Sequence, residues 1–252
     1  MRAYAKINLS LEVLGKRPDG FHSIRSIMQQ IDLYDELTFE LADTVHVESS
    51  LSDEIMLKTI HTLQSLFRLG KGVKIMVKKK IPVAAGLGGG SSDAAITLLA
   101  LNRLWSLNLG SADLMKIAAE IGSDVPFFIQ GGCCLVSGRG EQVKKIKGEK
   151  MDILLVNPGY EISTTKAYEL LDKEKRISRS SGIKSPHNDF LCIQKQDVHD
   201  IIDEMKDLGA VDASITGKGP TVFGIFDKNI KKAHQKIKNK YPFVRMTKTI
   251  TQ

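Results

Sequence analysis

A glycine-rich loop that leads directly into a helix is the strongest chemical signal in this 252-residue sequence. Four of the five residues from Gly86 to Gly90 are glycine, and Ser91, Ser92 and Asp93 follow. Glycine adopts positive φ readily, so its backbone N–H groups can approach an anion closely. Ser91 to Asp93 are predicted to cap the helix, where a phosphate would meet unpaired N–H donors and the positive end of the helix dipole. The alternative is a flexible turn before an ordinary helix.

Two better-known phosphate loops do not fit this segment. A Walker loop ends in Gly-Lys-Ser or Gly-Lys-Thr, whereas two serines follow Gly90 with no lysine. The dinucleotide fingerprint follows a parallel βαβ pattern, whereas the segment before this loop is basic (Lys78 to Lys80) and ends at Pro82. The pattern therefore indicates a third kind of phosphate loop.

Lys6 and Asn8 are the next candidates, because they lie in a segment that alternates apolar and polar residues from Ala3 to Val13. Alternation with a period of two predicts a half-buried strand. Lys6 and Asn8 would then point to the same face, about 6.6 Å apart along the strand. The ammonium group of Lys6 is directed at a phosphate in one interpretation and reaches solvent in the other.

Three further places could carry chemistry. Asp124 stands just before a proline, where it is either a general base or a turn and N-cap residue. The turn at 216–221 is compatible with both a second phosphate-facing loop and a hairpin connection. His22 and Tyr168 are of residue types that usually pack within a structure, so alone they do not indicate a site.

The elements that must position these residues do not alternate strictly between strand and helix, which favours an α+β fold with antiparallel sheet. A charged stretch near residue 150 is the predicted boundary between an N-terminal lobe (1–150) and a C-terminal lobe (151–252). Helices are expected at 53–69, 94–104, 111–121, 164–171 and 198–208, strands at 3–13, 21–30, 35–41, 73–77, 131–137, 152–156, 211–215 and 221–226, and one more helix and strand at the end.

Composition fits an ordinary globular protein, with 42% hydrophobic and 26% charged residues. The net charge of +7 comes from scattered lysines without interleaved aromatic residues, so no nucleic-acid partner is expected. Neither a leader segment nor a membrane-length apolar run is apparent, so we expect a cytoplasmic protein with no membrane partner. Cys133, Cys134 and Cys192 lack metal or redox spacing and are interpreted as small apolar residues in the core.

Taken together and in this order, the segments resemble the GHMP kinase superfamily, which has an N-terminal motif, a glycine-serine phosphate loop and a C-terminal glycine turn. The segments 5–9 and 15–22 narrow the resemblance to its 4-diphosphocytidyl-2-C-methyl-D-erythritol kinase family. The resemblance spans nearly the whole chain, since the family pattern also fits 86–95, 122–126, 188–189 and 216–219.

The resemblance implies a two-lobed GHMP kinase fold. Its N-terminal lobe would be similar to domain 2 of ribosomal protein S5, and its C-terminal lobe ferredoxin-like. It also implies phosphorylation of the 2-hydroxyl of a small-molecule cytidylyl polyol in the non-mevalonate isoprenoid pathway, with ATP and Mg²⁺. The expected assembly is a monomer or a weak homodimer. The alternatives are a GHMP kinase for another alcohol and a catalytically silent nucleotide-binding sensor.

The resemblance also implies roles for individual residues. Asp124 would accept the hydroxyl proton, and Lys6 would keep Asp124 ionised and stabilise charge at the reacting oxygen. The cytidylyl substrate would contact Asn8, Phe21, His22 and Tyr168, with the two aromatic rings around the base and His22 at its polar edge. The ATP phosphates would contact Pro82, Gly86, Leu87, Gly88, Gly89, Gly90, Ser91, Ser92, Gly217 and Gly219, with Ser91 or Ser92 near the metal.

Two residues depart from the family pattern. Glu54 stands where relatives often carry an asparagine near the adenine. Lys218 stands in the third glycine motif, where a small polar residue is commoner, and it either adds a phosphate contact or points away.

Overall fold

A computed structural model describes residues 1–50, 54–174 and 186–251. Within these ranges the chain forms eleven strands, seven α-helices and one 3₁₀ helix. In chain order they are β1 (Arg2–Lys16), β2 (His22–Ala42), β3 (Val45–Glu48), α1 (Glu54–Phe67), β4 (Gly72–Lys78), α2 (Gly89–Leu104), α3 (Ser111–Ile121), α4 (Val125–Gln130), β5 (Cys133–Gly138), β6 (Gln142–Ile146), β7 (Asp152–Asn157), α5 (Thr164–Lys173), β8 (His187–Asn188), the 3₁₀ helix (Asp189–Ile193), α6 (Gln196–Asp207), β9 (Asp212–Ile215), β10 (Val222–Phe226), α7 (Ile230–Ile237) and β11 (Phe243–Lys248).

The first sheet is built around the long strand β2. Strand β1 pairs with β2 along its whole length, and on β2 the residues 24–29 pair with β5 while 36–42 pair with β4. The described strands of this sheet run in the order β3-β4-β2-β1-β8, and outside this order β5 pairs with β2 and β6 pairs with β5. Helices α1 to α4 supply the apolar residues that cover it, so this lobe has its own core.

The second sheet has the strand order β11-β7-β10-β9, and each of its neighbouring pairs is antiparallel. Helix α6 precedes β9 and α7 connects β10 to β11. This order, with a helix in each crossover, is the ferredoxin-like arrangement. The predicted α+β class and the ferredoxin-like lobe are confirmed.

Strand β1 is not half-buried, as its alternating pattern predicted: every residue from Ala5 to Val13 is buried. Its apolar face packs against the second sheet, where Ile7 shares a cluster with Leu155 and Phe223. On its polar face, Lys6 and Asn8 are covered by the glycine loop and by the turn at 216–221, to which their backbone N–H groups donate. Period-two patterning identifies a strand but does not show what covers its polar face.

The apolar cluster between the sheets joins the two halves of the chain. Residues of β1 and β2 contribute to it together with residues of β7 and β10. Strand β8, which lies beyond residue 150, pairs with β1 in the first sheet. The boundary at residue 150, with lobes 1–150 and 151–252, stays a prediction.

Several local predictions need correction. The two strands predicted at 21–30 and 35–41 form one continuous strand, β2. Helix α4 and strand β6 were not predicted, because α4 has six residues and β6 lies in a lysine-rich stretch. Cys133 and Cys134 are buried as expected, but Cys192 is exposed. The polar composition of 173–188 also predicts a loop there, most of which lies outside the described residues.

Candidate functional site

A cavity of about 790 Å³ is lined by the glycine loop, β1, the start of α5 and the turn at 216–221. This volume lies within the range of small-molecule sites. Both halves of the chain contribute to its lining. The sequence motifs, far apart along the chain, therefore meet in one place.

The glycine loop starts helix α2 in a way that differs from the prediction. Gly88 is the N-cap residue, in the left-handed conformation with φ of 73° and without a side-chain cap. Ser91, Ser92 and Asp93 lie inside the helix, so the prediction that they cap it was wrong. The N–H of Ser92 donates to the carbonyl of Gly88, which leaves the N–H groups of residues 89–91 without a partner within the helix. These donors suit an anion.

Two of the glycines are required by close contacts as well as by φ. A Cβ on Gly86 would stand 2.2 Å from the carbonyl oxygen of Thr216, and Gly86 has φ of +78°. A Cβ on Gly88 would stand 2.7 Å from the ring of Phe128. Side chains at these positions would push the loop off its neighbours, so the backbone itself forms this wall of the cavity.

Hydrogen bonds join the three motifs. The N–H of Lys6 donates to the carbonyl of Leu87, which ties β1 to the glycine loop (3.0 Å). The Thr216 hydroxyl accepts from the N–H of Asn8 (3.1 Å) and lies 3.1 Å from the Gly86 carbonyl. The N–H of Gly217 donates to Asn8 Oδ1 (2.8 Å). Asn8 therefore links β1 to the turn at 216–221, which we call the third turn.

Lys6 and Asn8 share one face of β1, as predicted, and Lys6 Nζ donates to Asn8 Oδ1 at 2.6 Å. Lys6 is 3% exposed, so the interpretation that it reaches solvent is wrong. Burial lowers the pKa of Lys6, and the negative charge of Asp124 acts in the opposite direction. Asn8 Nδ2 donates to Ser26, so the Asn8 amide makes its contacts within the protein.

Asp124 lines the cavity and is the N-cap residue of α4. Asp124 therefore occupies the predicted N-cap position, but its carboxylate makes no capping hydrogen bond. The carboxylate is close enough to Lys6 and Tyr168 to affect both electrostatically. Burial, with the negative charge of Asp124 as the smaller contribution, raises the pKa of Tyr168 to about 12.

The third turn is held from behind by two amides that the sequence did not indicate. Asn188 Nδ2 donates to the carbonyls of Ile215 (3.0 Å) and Gly217 (2.8 Å). Gln194 Nε2 donates to the carbonyl of Lys218 (3.0 Å). The resemblance included Asn188 in a family segment without assigning it a role.

The aromatic part of the cavity is assembled from β2 and α5. The rings of His22 and Tyr168 stack with centroids 4.5 Å apart. His22 Nε2 is hydrogen-bonded to Asp172 Oδ1 (2.8 Å), one turn further along α5. Asp172 was missed, because no local pattern links a residue to a partner 150 positions earlier.

Phe21 lies at the cavity with 49% of its surface exposed, and the guanidinium carbon of Arg139 stands 5.1 Å from its ring centroid. The two rings of the expected aromatic clamp, Phe21 and Tyr168, thus each have one face covered by another side chain. Tyr168 also contacts the ring of Phe190, with centroids 5.0 Å apart and an angle of 84° between the planes, so Phe21 is the more open of the two rings.

A buried ion-pair cluster stands behind the glycine loop. Lys79 Nζ is 2.6 Å from Asp35 Oδ2 and 2.5 Å from Asp93 Oδ2. The other oxygen of Asp35 accepts from the N–H groups of Lys80 and Ile81. Asp93 is part of α2, so this cluster fixes the start of the helix to β2.

The cavity brings together most of the predicted site residues. Those that line it are Lys6, Asn8, Phe21, His22, Pro82, Gly86, Gly88, Gly89, Gly90, Ser91, Asp124, Tyr168 and Gly217. Leu87 and Ser92 are 1% exposed, and neither they nor Gly219 is part of the lining. Of the two serines expected near a metal, only Ser91 faces the cavity. Glu54 is exposed on α1, next to the lining residue Ile55.

The described part of the chain holds no group of three or more His, Cys, Asp or Glu side chains able to bind a metal. Within the same ranges, no helix combines the length and the apolar character that crossing a membrane requires.

Comparison with known proteins assigns the family. The model of the GHMP kinases N terminal domain matches residues 54–132, and that of the GHMP kinases C terminal region matches 187–242. The 4-diphosphocytidyl-2-C-methyl-D-erythritol kinases of Caldanaerobacter subterraneus subsp. tengcongensis and Thermoanaerobacter pseudethanolicus are each 39% identical, over 99% of this chain and 96% of the relative. The chain belongs to the 4-diphosphocytidyl-2-C-methyl-D-erythritol kinase family. The predicted family is confirmed.

Solved structures agree with this assignment. A crystal structure of 4-(cytidine 5'-diphospho)-2C-methyl-D-erythritol kinase is 26% identical, with a TM-score of 0.85 over 100% of this chain and 99% of that one. The Methanococcus jannaschii mevalonate kinase, 16% identical, has a TM-score of 0.76 over 100% of this chain and 98% of that one, and shares the fold. The two-lobed GHMP kinase fold is confirmed. Family membership makes the chain a kinase, with ATP as its phosphate donor.

Proposed function

We propose that the protein transfers the γ-phosphoryl group of ATP to the 2-hydroxyl of 4-diphosphocytidyl-2-C-methyl-D-erythritol, a step of non-mevalonate isoprenoid biosynthesis. One observation carries the proposal. A single cavity is lined by a glycine loop suited to phosphate, by the buried Lys6 with Asp124, and by the stacked rings of His22 and Tyr168. The names of the relatives supply the substrate.

The glycine loop binds the nucleotide phosphates through its backbone. The N–H groups at the start of α2 and the positive end of that helix face the cavity, and both favour an anion. Of the residues assigned to the ATP phosphates, Gly86, Gly88 to Gly90 and Ser91 contribute directly. Leu87 contributes indirectly, because its carbonyl accepts a hydrogen bond from the Lys6 N–H and so ties the loop to β1.

Asp124 accepts the proton of the 2-hydroxyl, because its carboxylate faces the cavity and does not cap α4. The Lys6 ammonium group stabilises the negative charge that develops on the reacting oxygen. Asn8 keeps the Lys6 ammonium group in place through its 2.6 Å hydrogen bond. In phosphoryl transfer most of the catalysis comes from such positioning and electrostatics.

Mg²⁺ accompanies ATP in this proposal and neutralises charge on the phosphates. In kinases this ion takes most of its ligands from phosphates and water, with few from the protein. The residues present suit that arrangement, since the Ser91 hydroxyl lines the cavity and would hold the ion together with phosphate oxygens and water.

The base end of the substrate lies against His22, Tyr168 and Phe21. Aromatic rings stack on the face of a base, and the imidazole of His22 can hydrogen-bond to its polar edge. The predictions of a monomer or weak homodimer, of a cytoplasmic location, and of no nucleic-acid or membrane partner are kept as part of this proposal.

The test is release of ADP from ATP and Mg²⁺ in the presence of four separate acceptors. They are 4-diphosphocytidyl-2-C-methyl-D-erythritol, the same polyol phosphate without cytidine, mevalonate and homoserine. Turnover confined to the cytidylyl compound is expected. Turnover with only another alcohol would contradict the substrate assignment, and no turnover with any of the four would favour the nucleotide-binding sensor.

A further inference from the structure

Lys218 is a basic residue of the cavity that the proposed mechanism does not use. It stands in the third glycine turn, lines the cavity, and donates from Nζ to the Thr164 hydroxyl at 2.7 Å. Thr164 is the first residue of α5 and lines the same cavity. The Lys218 side chain therefore crosses from the third turn to the start of α5, and does not point away.

The backbone that carries this side chain is fixed on both sides. Gln194 donates to the carbonyl of Lys218, and Asn188 donates to that of Gly217. On the other side, the Gly217 N–H donates to Asn8 Oδ1. This constrained backbone limits the directions in which the Lys218 side chain can extend, and the observed direction leads into the cavity.

The electrostatics of Lys218 favour an anion. Burial lowers the pKa of Lys218, with Glu161 acting in the opposite direction, and its positive charge also lowers the pKa of Lys6. The ammonium groups of Lys6 and Lys218 thus repel each other across one cavity. Lys79 differs, because its charge is offset by Asp35 and Asp93. A phosphate between the two ammonium groups would relieve the repulsion.

The position of Thr164 on α5 indicates which phosphate group Lys218 would bind. Tyr168, stacked on His22, lies one helical turn from Thr164, about 6 Å further along the axis. Lys218 thus stands one turn from the proposed base-binding pair, where it also interacts with Lys6. In a cytidylyl polyol the diphosphate joins the nucleoside to the polyol. We propose that Lys218 binds this diphosphate, an inference that rests on the proposed function.

The first experiment measures KM for each substrate in Lys218→Met and Lys218→Arg. In Lys218→Met, KM for the cytidylyl polyol is expected to rise about tenfold to hundredfold, because a charge-assisted hydrogen bond is lost. KM for ATP is expected to stay within about twofold. Lys218→Arg keeps the charge and restores most of the affinity. Lys166→Met is the matched control, because Lys166 is an exposed lysine of α5, the helix whose first residue Lys218 contacts, and this variant should behave as wild type.

The second experiment measures binding of CDP and of cytidine without turnover. Wild type should bind CDP at least about tenfold more tightly than cytidine, and Lys218→Met should lose that difference. An unchanged preference for CDP in Lys218→Met, or a rise in KM for ATP alone, would overturn the role of Lys218. Wild-type protein that binds CDP through Lys218 yet phosphorylates no cytidylyl polyol would instead contradict the proposed function.

Discussion

The two ends of the cavity are built differently. The end that we assign to phosphate, called the phosphate end, is formed by residues 86–91 and the turn at 216–219 and presents mainly backbone N–H groups in a glycine-rich frame. The end that we assign to the base, called the base end, is formed by Phe21, His22, Tyr168 and Asp172 and presents side chains from β2, α5 and the turn before β2. Backbone shape is dictated locally by glycine, whereas the arrangement of the side chains depends on the packing of both lobes.

This difference predicts how each end responds to substitution. At the phosphate end a single methyl group strikes backbone atoms that cannot move aside, so the damage should be large and should extend to stability. At the base end a side chain can be replaced without moving the backbone. Its loss should change the affinity for one substrate and leave the fold intact.

The largest effect is expected between the two ends, at Lys6 and Asp124. Lys6→Met and Asp124→Asn should each reduce kcat by about 10²–10⁴-fold, because each removes a group that acts on the transferred proton or on the developing charge. Burial lowers the pKa of Lys6, which means that its charged form is unfavourable in the folded protein. Lys6→Met removes that charge, so thermal unfolding should show a Tm that is unchanged or raised.

Lys116→Met is the control for the loss of one positive charge, since Lys116 is exposed on α3. It should keep wild-type kcat and Tm. If Lys6→Met or Asp124→Asn keeps kcat within about threefold of wild type, that residue does not have the role assigned to it.

The next effect is expected at the phosphate end, in Gly86→Ala. The added Cβ would stand 2.2 Å from the Thr216 carbonyl oxygen, and φ of +78° adds about 1–2 kcal/mol of strain. Because the glycine loop and the third turn are forced apart, KM for ATP should rise, kcat should fall and Tm should decrease. Steady-state kinetics and thermal unfolding measure these changes.

Gly70→Ala is the matched control, because Gly70 is exposed and a Cβ there meets open space. It should be close to wild type in all three measurements. A Gly86→Ala variant with unchanged KM for ATP would mean that the rigid contact between the two turns is not needed for phosphate binding.

The sequence predicted more of the glycine-rich end of the cavity than of the end built from side chains. Glycine spacing predicted the loop that lines one end of the cavity, because positive φ and close backbone contact leave few alternatives to glycine; its role in binding phosphate stays a prediction. Strand periodicity placed Lys6 and Asn8 on one face. The cap of α2 was assigned to Ser91–Asp93 because those residue types usually cap helices, but Gly88 takes that position by adopting the left-handed conformation.

The unpredicted residues act through contacts between distant parts of the chain. Asn188 holds the third turn from 27 and 29 residues away, and Asp172 binds His22 from 150 residues away. Periodicity and turn chemistry describe neighbours in sequence, so they carry no information on such pairs. The burial of β1 on both faces was missed for the same reason.

The smallest effect is expected at the base end, in Asp172→Asn. In the proposed function Asp172 acts on the substrate through its hydrogen bond to His22, and its side chain is 43% exposed, so solvent screens the pair. KM for the cytidylyl polyol should rise about two- to fivefold, with KM for ATP and Tm unchanged. His22→Gln supplies the test of mechanism, since Asp172→Asn should add nothing in that background. An equal effect of Asp172→Asn with and without His22 would show that Asp172 does not work by orienting the imidazole, and the base end would then lack the side-chain positioning that distinguishes it from the phosphate end.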